Sequence, residues 1–507
     1  VTTGLSLTRR LVEERPPRAI VELAGDELVE AAGLLLDRGY RLALVSAQHE
    51  VDVIRVVYLF VDGPPDQRIE LHLDLNAVQP LVASLAHLSF PAGRFEREMR
   101  DLFGVEPVGH PQPRPLVLHQ HWPEGWHPMR ADASPQPPMK PGADSFPFAQ
   151  VEGAGIYEIP VGPVHAGVIE PGHFRFWVVG ETIVRMKARL WFVHKGIERL
   201  FEGRDLTFAM NLAERISGDS AVGHSLAFCQ AVEEAQGIEV SPRARELRGV
   251  LIELERLYNH VSDVGALCND VGFALANARA LILRERLLEL NESVTGHRLL
   301  RGGVRYGGAA LRALPRTEEL EEIGARFHEL VDLARSNSIV MDRFTGTGPL
   351  STNQAREIGV LGVVARASGL NLDARVMHPF VDLPSTWHPA HRDTGDVLAR
   401  FEVRVDEVDA SLSLLADFVS REGPLIADGQ GEAVAREGQG SGIVEGWRGA
   451  IVHRVQFGSD GMLRRVKVVD PSFFAWPALP VALADTIVPD FPLVNKSFNL
   501  SYAGNDL

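Results

Sequence analysis

Among the 507 residues there are two thiols, Cys229 and Cys268. Thiolate is the soft ligand of electron-carrying metal centres, and an iron–sulfur cluster usually takes four. Two cysteines set among apolar residues in helix-like patterns read instead as buried free thiols, which behave as small hydrophobes. Any cluster that exchanges electrons with this chain then belongs to another polypeptide. The histidines His194, His224 and His453 lie near short polar motifs, where the reading is that of satisfied core side chains rather than ligands.

The elements that must hold such residues follow from pattern and composition. Asp26–Asp37 has helical spacing, Val51–Val61 and Arg68–Leu75 are β-rich or alternating, and Gly63-Pro64-Pro65 turns between them. Gly93–Phe103 reads as a charged helix. Residues 1–105 are thus expected to form a small α/β domain. Eleven prolines between Pro107 and Pro147 forbid helix and sheet interiors, so residues 106–150 are expected to be an extended strap or linker. The third segment, 151–507, opens with strands at Tyr157–Val164 and Phe174–Leu190, turned at Gly180-Glu181. It continues as a mostly helical body: Arg243–Ser293 as one or two long helices, then Leu320–Arg335 and Val397–Val419. Ile443–Val469 returns to β alternation, and Asp470–Leu507 shows no clear period. The fold class is α+β.

A 45% hydrophobic and 23% charged composition is that of an ordinary globular protein. The formal charge of −16 argues against a nucleic-acid partner, which needs a clustered basic surface. No apolar run reaches 18 residues, so no spanning helix is expected. Arg9, Arg10, Glu13 and Glu14 interrupt the N-terminal region where a signal peptide needs an apolar core, so a cytoplasmic location is expected.

Two motifs carry a family resemblance. Phe95-Glu96-Arg97-Glu98-Met99-Arg100-Asp101-Leu102-Phe103-Gly104, followed by Gly109-His110-Pro111, resembles the E-R-E-x-x-D-L-F-G and G-H-P signature of the C-type protein of complex I and its hydrogenase counterparts. Residues 151–507 resemble the D-type protein of complex I and the large subunit of NiFe hydrogenases. The matching segments are Gly162-Pro163-Val164-His165, Glu170-Pro171-Gly172-His173, His194-Lys195-Gly196-Ile197-Glu198-Arg199 and Glu445-Gly446-Trp447-Arg448-Gly449. The closing stretch from Pro489 to Leu507 is similar to the tail of group 4 large subunits, those of hydrogenase-4 and formate hydrogenlyase, and in particular of their relatives without metal ligands.

In that family the metal is held by E-R-I-C-G-x-C and D-P-C-x-x-C. Here the frames read Glu214-Arg215-Ile216-Ser217-Gly218-Asp219-Ser220 and Asp470-Pro471-Ser472-Phe473-Phe474-Ala475. All four thiolate positions are changed, to Ser217, Ser220, Ser472 and Ala475. A serine hydroxyl is a hard, weak ligand that stays protonated near neutral pH, and alanine offers no ligand. No nickel–iron centre, no other metal and no cofactor of the chain's own are therefore expected. The lack of a processed segment after Leu507 would fit a subunit that is never metallated.

The resemblance also implies roles. Glu170 matches an acidic proton carrier beside the metal; buried, such a carboxyl has a raised pKa and exchanges protons, and the alternative is a salt-bridged structural role. Arg448 matches an arginine over the metal, and here it could pair with Asp219 or with an anionic ligand, the Arg–carboxylate lock being favoured. Complex I uses the equivalent cavity for quinone. His165 is kept, but Ile169 stands where a second histidine would lie and Leu212 near the tyrosine position, so only a reshaped hairpin would let His173 substitute. The expected partners are an iron–sulfur small subunit of the complex I B-like type, a ferredoxin-like subunit, and membrane subunits of the antiporter-like and complex I H-like types. The chain would be an oxidoreductase-complex subunit peripheral to the inner face of the cell membrane. It would couple electron transfer to ion translocation, with quinone reduction or a non-catalytic scaffold as alternatives.

Overall fold

Apolar residues on both faces of three strands build the first sheet. A computed structural model describes residues 3–137, 139, 146, 148, 150–165, 169–429 and 436–507. Helix α1 (Gly4–Glu14) is followed by strand β1 (Arg18–Glu22) and helix α2 (Leu28–Asp37). Strands β2 (Arg41–His49), β3 (Val53–Asp62) and β4 (Gln67–Asn76) are antiparallel neighbours, and β1 joins β4 in parallel, giving the order β1-β4-β3-β2. Short parallel strands β5 (Leu81–Ala83) and β6 (Glu106–Val108) flank helix α3 (Phe90–Phe103). Pro91 in the first turn of α3 loses no helical hydrogen bond, and Gly104, at φ 74°, ends it in the left-handed region.

Helix α3 departs from the solvated charged helix that its composition suggests when read alone. Glu96, Glu98 and Asp101 are all buried. Glu96 accepts from Ser84 Oγ and Leu85 N at 2.6 Å each, and burial pushes it up to about 7. Asp101 accepts from the backbone N–H groups of Leu116, Val117 and Leu118 and so anchors the start of the proline-rich strap. Of that strap, residues 138, 140–145, 147 and 149 lie outside the described residues.

The second part opens with an antiparallel sheet of β7 (Ile156–Val161), β8 (His173–Val179) and β9 (Thr182–Arg189). Helices α4 (Ile197–Phe201), α5 (Leu206–Ala213), α6 (Ala221–Gln236), α7 (Pro242–Asp270) and α8 (Ala274–Thr295) follow. Strands β10 (Val304–Arg305) and β11 (Gly308–Ala310) lead to α9 (Thr317–Ser336), α10 (Ser338–Phe344), α11 (Thr352–Ile358), α12 (Gly362–Ala367), α13 (Ala374–Met377) and α14 (Val397–Ser420). Strand β12 (Ile426–Asp428) closes a small sheet with β10 and β11, and β13 (Gly438–Gly446), β14 (Gly449–Phe457) and β15 (Leu463–Val469) form another. The C-terminal segment contains α15 (Pro471–Ala475), α16 (Ala478–Ala482), α17 (Phe491–Phe498) and α18 (Tyr502–Asp506).

The core is α7, packed against α8 and α14. Its start is set by Ser241, whose side chain accepts from Ala244 N, with Pro242 next. Helix α6 lies directly on β13 because glycine alternates there. A Cβ on Gly438, Gly440 or Gly442 would run into the carbonyls of Ala235, Ala231 and Ala227 respectively. This close approach places the loop before α6 beside the β13–β14 turn. Among the described residues no helix is long and apolar enough to cross a membrane.

Candidate functional site

Four elements deliver the site: the loop before α6, the Gly446–Gly449 turn between β13 and β14, the start of α15, and the chain ahead of α18. Arg448 reaches across to Asp219 in a two-pronged pair, Nη1 to Oδ1 at 2.8 Å and Nη2 to Oδ2 at 2.7 Å. Such fork-to-fork pairs are strong and directional. The guanidinium stacks on the Trp447 ring at 3.8 Å, and Nε donates to Asn499 O. Partial desolvation would raise Asp219; Arg448 holds it below the usual carboxylate range. The carbonyl of Asp219 accepts from Trp447 Nε1 and Asn259 Nδ2. The arginine is buried, whereas the Asp219 side chain is 39% exposed, so the lock has one solvent-facing side.

The three serines join the same network. Ser217 Oγ donates to Asp219 Oδ1 at 2.9 Å and lies 2.9 Å from Ser501 Oγ. Ser472 Oγ accepts from Ser501 N at 2.9 Å, and Arg448 Nη1 is 3.4 Å from Ser220 Oγ. Ala475 is buried within α15. The donor set does not suit a soft metal pair: it has no thiolate, its hydroxyls are engaged by Asp219, Ser501 and Arg448, and a guanidinium–carboxylate pair lies among them. Among the described residues no group of three His, Cys, Asp or Glu side chains could hold a metal ion.

Beneath the network runs a buried relay. Asp470 accepts from His224 Nε2 at 3.1 Å, and His224 Nδ1 lies 3.1 Å from His453 Nε2. With Asp470 ionised, His224 carries its proton on Nε2, so its Nδ1 accepts from His453 Nε2–H. His453 Nδ1 is then a bare acceptor, and it has no partner among the described residues. Burial and His224 push His453 far down, in keeping with a neutral ring. His194 Nδ1 donates to Asp506 O at 2.6 Å.

The hairpin residues stand apart. His165 Nε2 is bonded to Gly172 O at 2.8 Å and His173 Nδ1 to Gly162 O at 3.1 Å, so both staple the hairpin to itself. Neither shares a hydrogen bond with the serine network, and Leu212 is half-buried on α5. Residues 166–168 of the hairpin motif lie outside the described residues. Glu170 is half-buried rather than enclosed. It accepts from Ala503 N at 3.0 Å, a capping role at the start of α18 and two residues from Ser501. Cys229 and Cys268 are buried, and burial pushes the Cys268 thiol up to about 12.

Residue-type reasoning missed the charged groups inside α7. Glu255 is fully buried and accepts from Val222 N and Gly223 N at the start of α6. Burial pushes it up to about 8, against those two N–H groups, and Asp219 adds to the rise. A buried carboxyl that keeps its proton costs stability once the unfolded chain can release that proton. The contribution is therefore fully present below about pH 4.5 and is lost as pH rises toward 8. Glu255→Gln should flatten this dependence by about 4 kcal/mol between those limits. Thermal unfolding at pH 5 and pH 8 checks it, and equal pH slopes for the two proteins would contradict it. The available signal was Glu253-Leu254-Glu255-Arg256, charges set directly between the apolar runs Val250–Ile252 and Leu257–Tyr258.

With a two-part fold and an Arg–carboxylate and serine network in place of four thiolates, the chain has the form of a hydrogenase or complex I large subunit. Three family profiles match it: the 30 Kd subunit of respiratory-chain NADH dehydrogenase over residues 21–138, nickel-dependent hydrogenase over 195–266, and the NADH dehydrogenase 49 Kd subunit over 270–434. Formate hydrogenlyase subunit 5 of Escherichia coli is 32% identical, with 86% of this chain and 79% of the relative covered. Hydrogenase-4 component G of the same organism is 34% identical over 81% and 73% respectively. The fused C/D protein of the NADH-quinone oxidoreductase of Bacteroides thetaiotaomicron is 29% identical over 80% and 81%. The chain belongs to the family of formate hydrogenlyase and hydrogenase-4 large subunits, in which complex I C-like and D-like domains are fused. A chain of the archaeal membrane-bound sulfane sulfur reductase shares the fold at a TM-score of 0.64 and 24% identity, covering 70% of this chain and 99% of that one.

Proposed function

We propose that the chain is a redox-complex subunit that works without a nickel–iron centre. It would receive electrons from an iron–sulfur cluster on a neighbouring small subunit and take part in coupling their transfer to ion movement. A ferredoxin-like subunit, together with antiporter-like and complex I H-like membrane proteins, would complete the complex at the inner face of the membrane. The single observation that supports this most is the Arg448–Asp219 pair with its serine partners, standing at the positions of the family's metal ligands. The residues available there hold fixed negative charge in Asp219 and Asp470, and Glu255 behind them is the carboxyl placed to exchange protons near neutral pH.

Elemental analysis of the purified complex tests the first half. Nickel below one atom in ten chains is expected, and stoichiometric nickel bound to this chain would sink the proposal. The second half is tested by Arg448→Met and Asp219→Asn, singly and together. Each single change strands a charge, so turnover or ion pumping of the intact complex should fall about tenfold or more, with a coupling of about 1–3 kcal/mol between the two. Unchanged turnover in both single variants would leave only a scaffold.

A further inference from the structure

Five cations face one another across a cavity of about 410 Å³ at the seam between the first domain and the β7–β9 sheet. Arg94 and Arg97 are three residues apart on α3 and so share a helical face. Arg185, Lys187 and Arg189 alternate along β9 and so share a strand face. Among the described residues, none of the five has a carboxylate within 4 Å, in a chain of net charge −16. The nearest acids are committed elsewhere: Asp101 to three backbone N–H groups, Glu98 to Lys467, and Asp506 to Val193 N and Asn505.

The inner wall carries unspent donors. Arg94 Nε and Arg189 Nε are buried without a hydrogen-bond partner among the described residues. Arg94 lies over the Phe473 ring at 4.6 Å, and Arg189 donates through its other nitrogens to Leu116 O and Leu118 O. Arg185 and Lys187 are exposed at the mouth. Partial desolvation, and after it the neighbouring guanidiniums of Arg97, Arg185 and Arg94, depress the Lys187 ammonium; an anion among them would relieve the second effect. Trp191 and Trp476 supply a flat apolar side.

We infer that this cavity binds a phosphate-bearing organic anion, the phosphate held between the α3 and β9 cations and the organic part against Trp191 and Trp476. A tetrahedral dianion offers more acceptor oxygens and more charge than a single carboxylate to cations on two walls, and arginine forks match phosphate oxygens. The volume holds a phosphate and one ring-sized group. The same chemistry could come from a free phosphate ester or from an anionic lipid headgroup of the adjoining membrane.

Calorimetric titration of the full chain with phenyl phosphate at low salt is the test, run beside flotation with phosphatidylcholine vesicles doped with phosphatidylglycerol. Dissociation constants near or below about 1 mM are expected for whichever source applies. The double variant Arg185→Gln/Lys187→Gln, which touches only exposed side chains, should weaken binding about tenfold. Arg298→Gln, remote and already paired with Glu285, should not. Phenyl phosphate binding lost in the double variant assigns a free ester. Vesicle capture alone, lost in the same variant, assigns a headgroup. Binding of neither probe, or binding indifferent to the double variant, overturns the inference.

Discussion

Arg366→Met is expected to leave the helical body unable to fold at 37 °C. Arg366 is wholly buried and meets Glu445 at 2.7 Å, Asp373 at 3.3 Å and Glu407 at 3.4 Å. Arg375 and Arg256 are the other cations of this cluster, and Glu253 its fourth acid. Four carboxylates thus face three guanidiniums, and burial together with Asp373 already pushes Glu445 upward. Removing one partner of a buried pair costs about 3–5 kcal/mol; here Glu445 loses its one cation within 4 Å among the described residues, while Asp373 and Glu407 keep Arg375. That cost is comparable with the whole stability of a domain, about 5–15 kcal/mol. Soluble yield and the guanidinium chloride midpoint give the measurement. Adding Glu445→Gln to the variant should recover part of the loss, because it removes one unpaired charge. A midpoint shift worth under about 1 kcal/mol would show that the cluster contributes no such restraint.

Lys467→Met should loosen the junction between the two parts of the molecule. The ammonium bridges Glu98 on α3, at 2.7 Å, and Glu198 on α4, at 3.0 Å, and all three side chains are largely buried. Glu198 keeps Arg465 at 2.6 Å, but Glu98 loses its only cation within 4 Å among the described residues. Burial already drives Glu98 above the usual carboxylate range, and without Lys467 it rises further. A loss of about 3 kcal/mol is expected at neutral pH. The sign of its pH dependence follows: a carboxyl whose folded pKa exceeds its unfolded one takes up a proton on folding, so the variant regains stability as pH falls. Limited proteolysis should cut the variant faster within residues 106–150 at pH 8, with the difference shrinking toward pH 5. Identical cleavage at both pH values would contradict this reading.

Different physical signals made different parts legible. The changed ligand frames stood in plain view, since Ser217, Ser220, Ser472 and Ala475 keep their neighbours while losing sulfur. The Arg448–Asp219 pairing followed from one arginine and one acid in two loops that the frames bring together. Long helices such as α7, α8 and α14 showed their apolar spacing. Strand β2 did not, because it is buried on both faces and lacks alternation. The helices α15 to α18 are five to eight residues long, too short for a 3.6-residue period to emerge. Glu255 and the Arg366 cluster were hidden for another reason. A charge on a helix reads as surface until a partner from a distant segment is known, and Arg366 meets Glu407 and Glu445 from separate elements. The five-cation cavity was equally invisible, since α3 and β9 are some ninety residues apart (residues 94–97 against 185–189) and nothing local records that they face each other.

Charged side chains crossing the junction between the two halves include Arg454 on Glu70, Lys467 on Glu98 and His378 on Asp66. Ionic contacts of this kind yield little net affinity when two independent molecules must dehydrate them to associate. Tethering changes the arithmetic: one covalent connection raises the local concentration of each half for the other to about the millimolar range. A salt-laden seam can then stay closed at any dilution of the protein, and one copy of each half is guaranteed in every assembly that takes up this polypeptide.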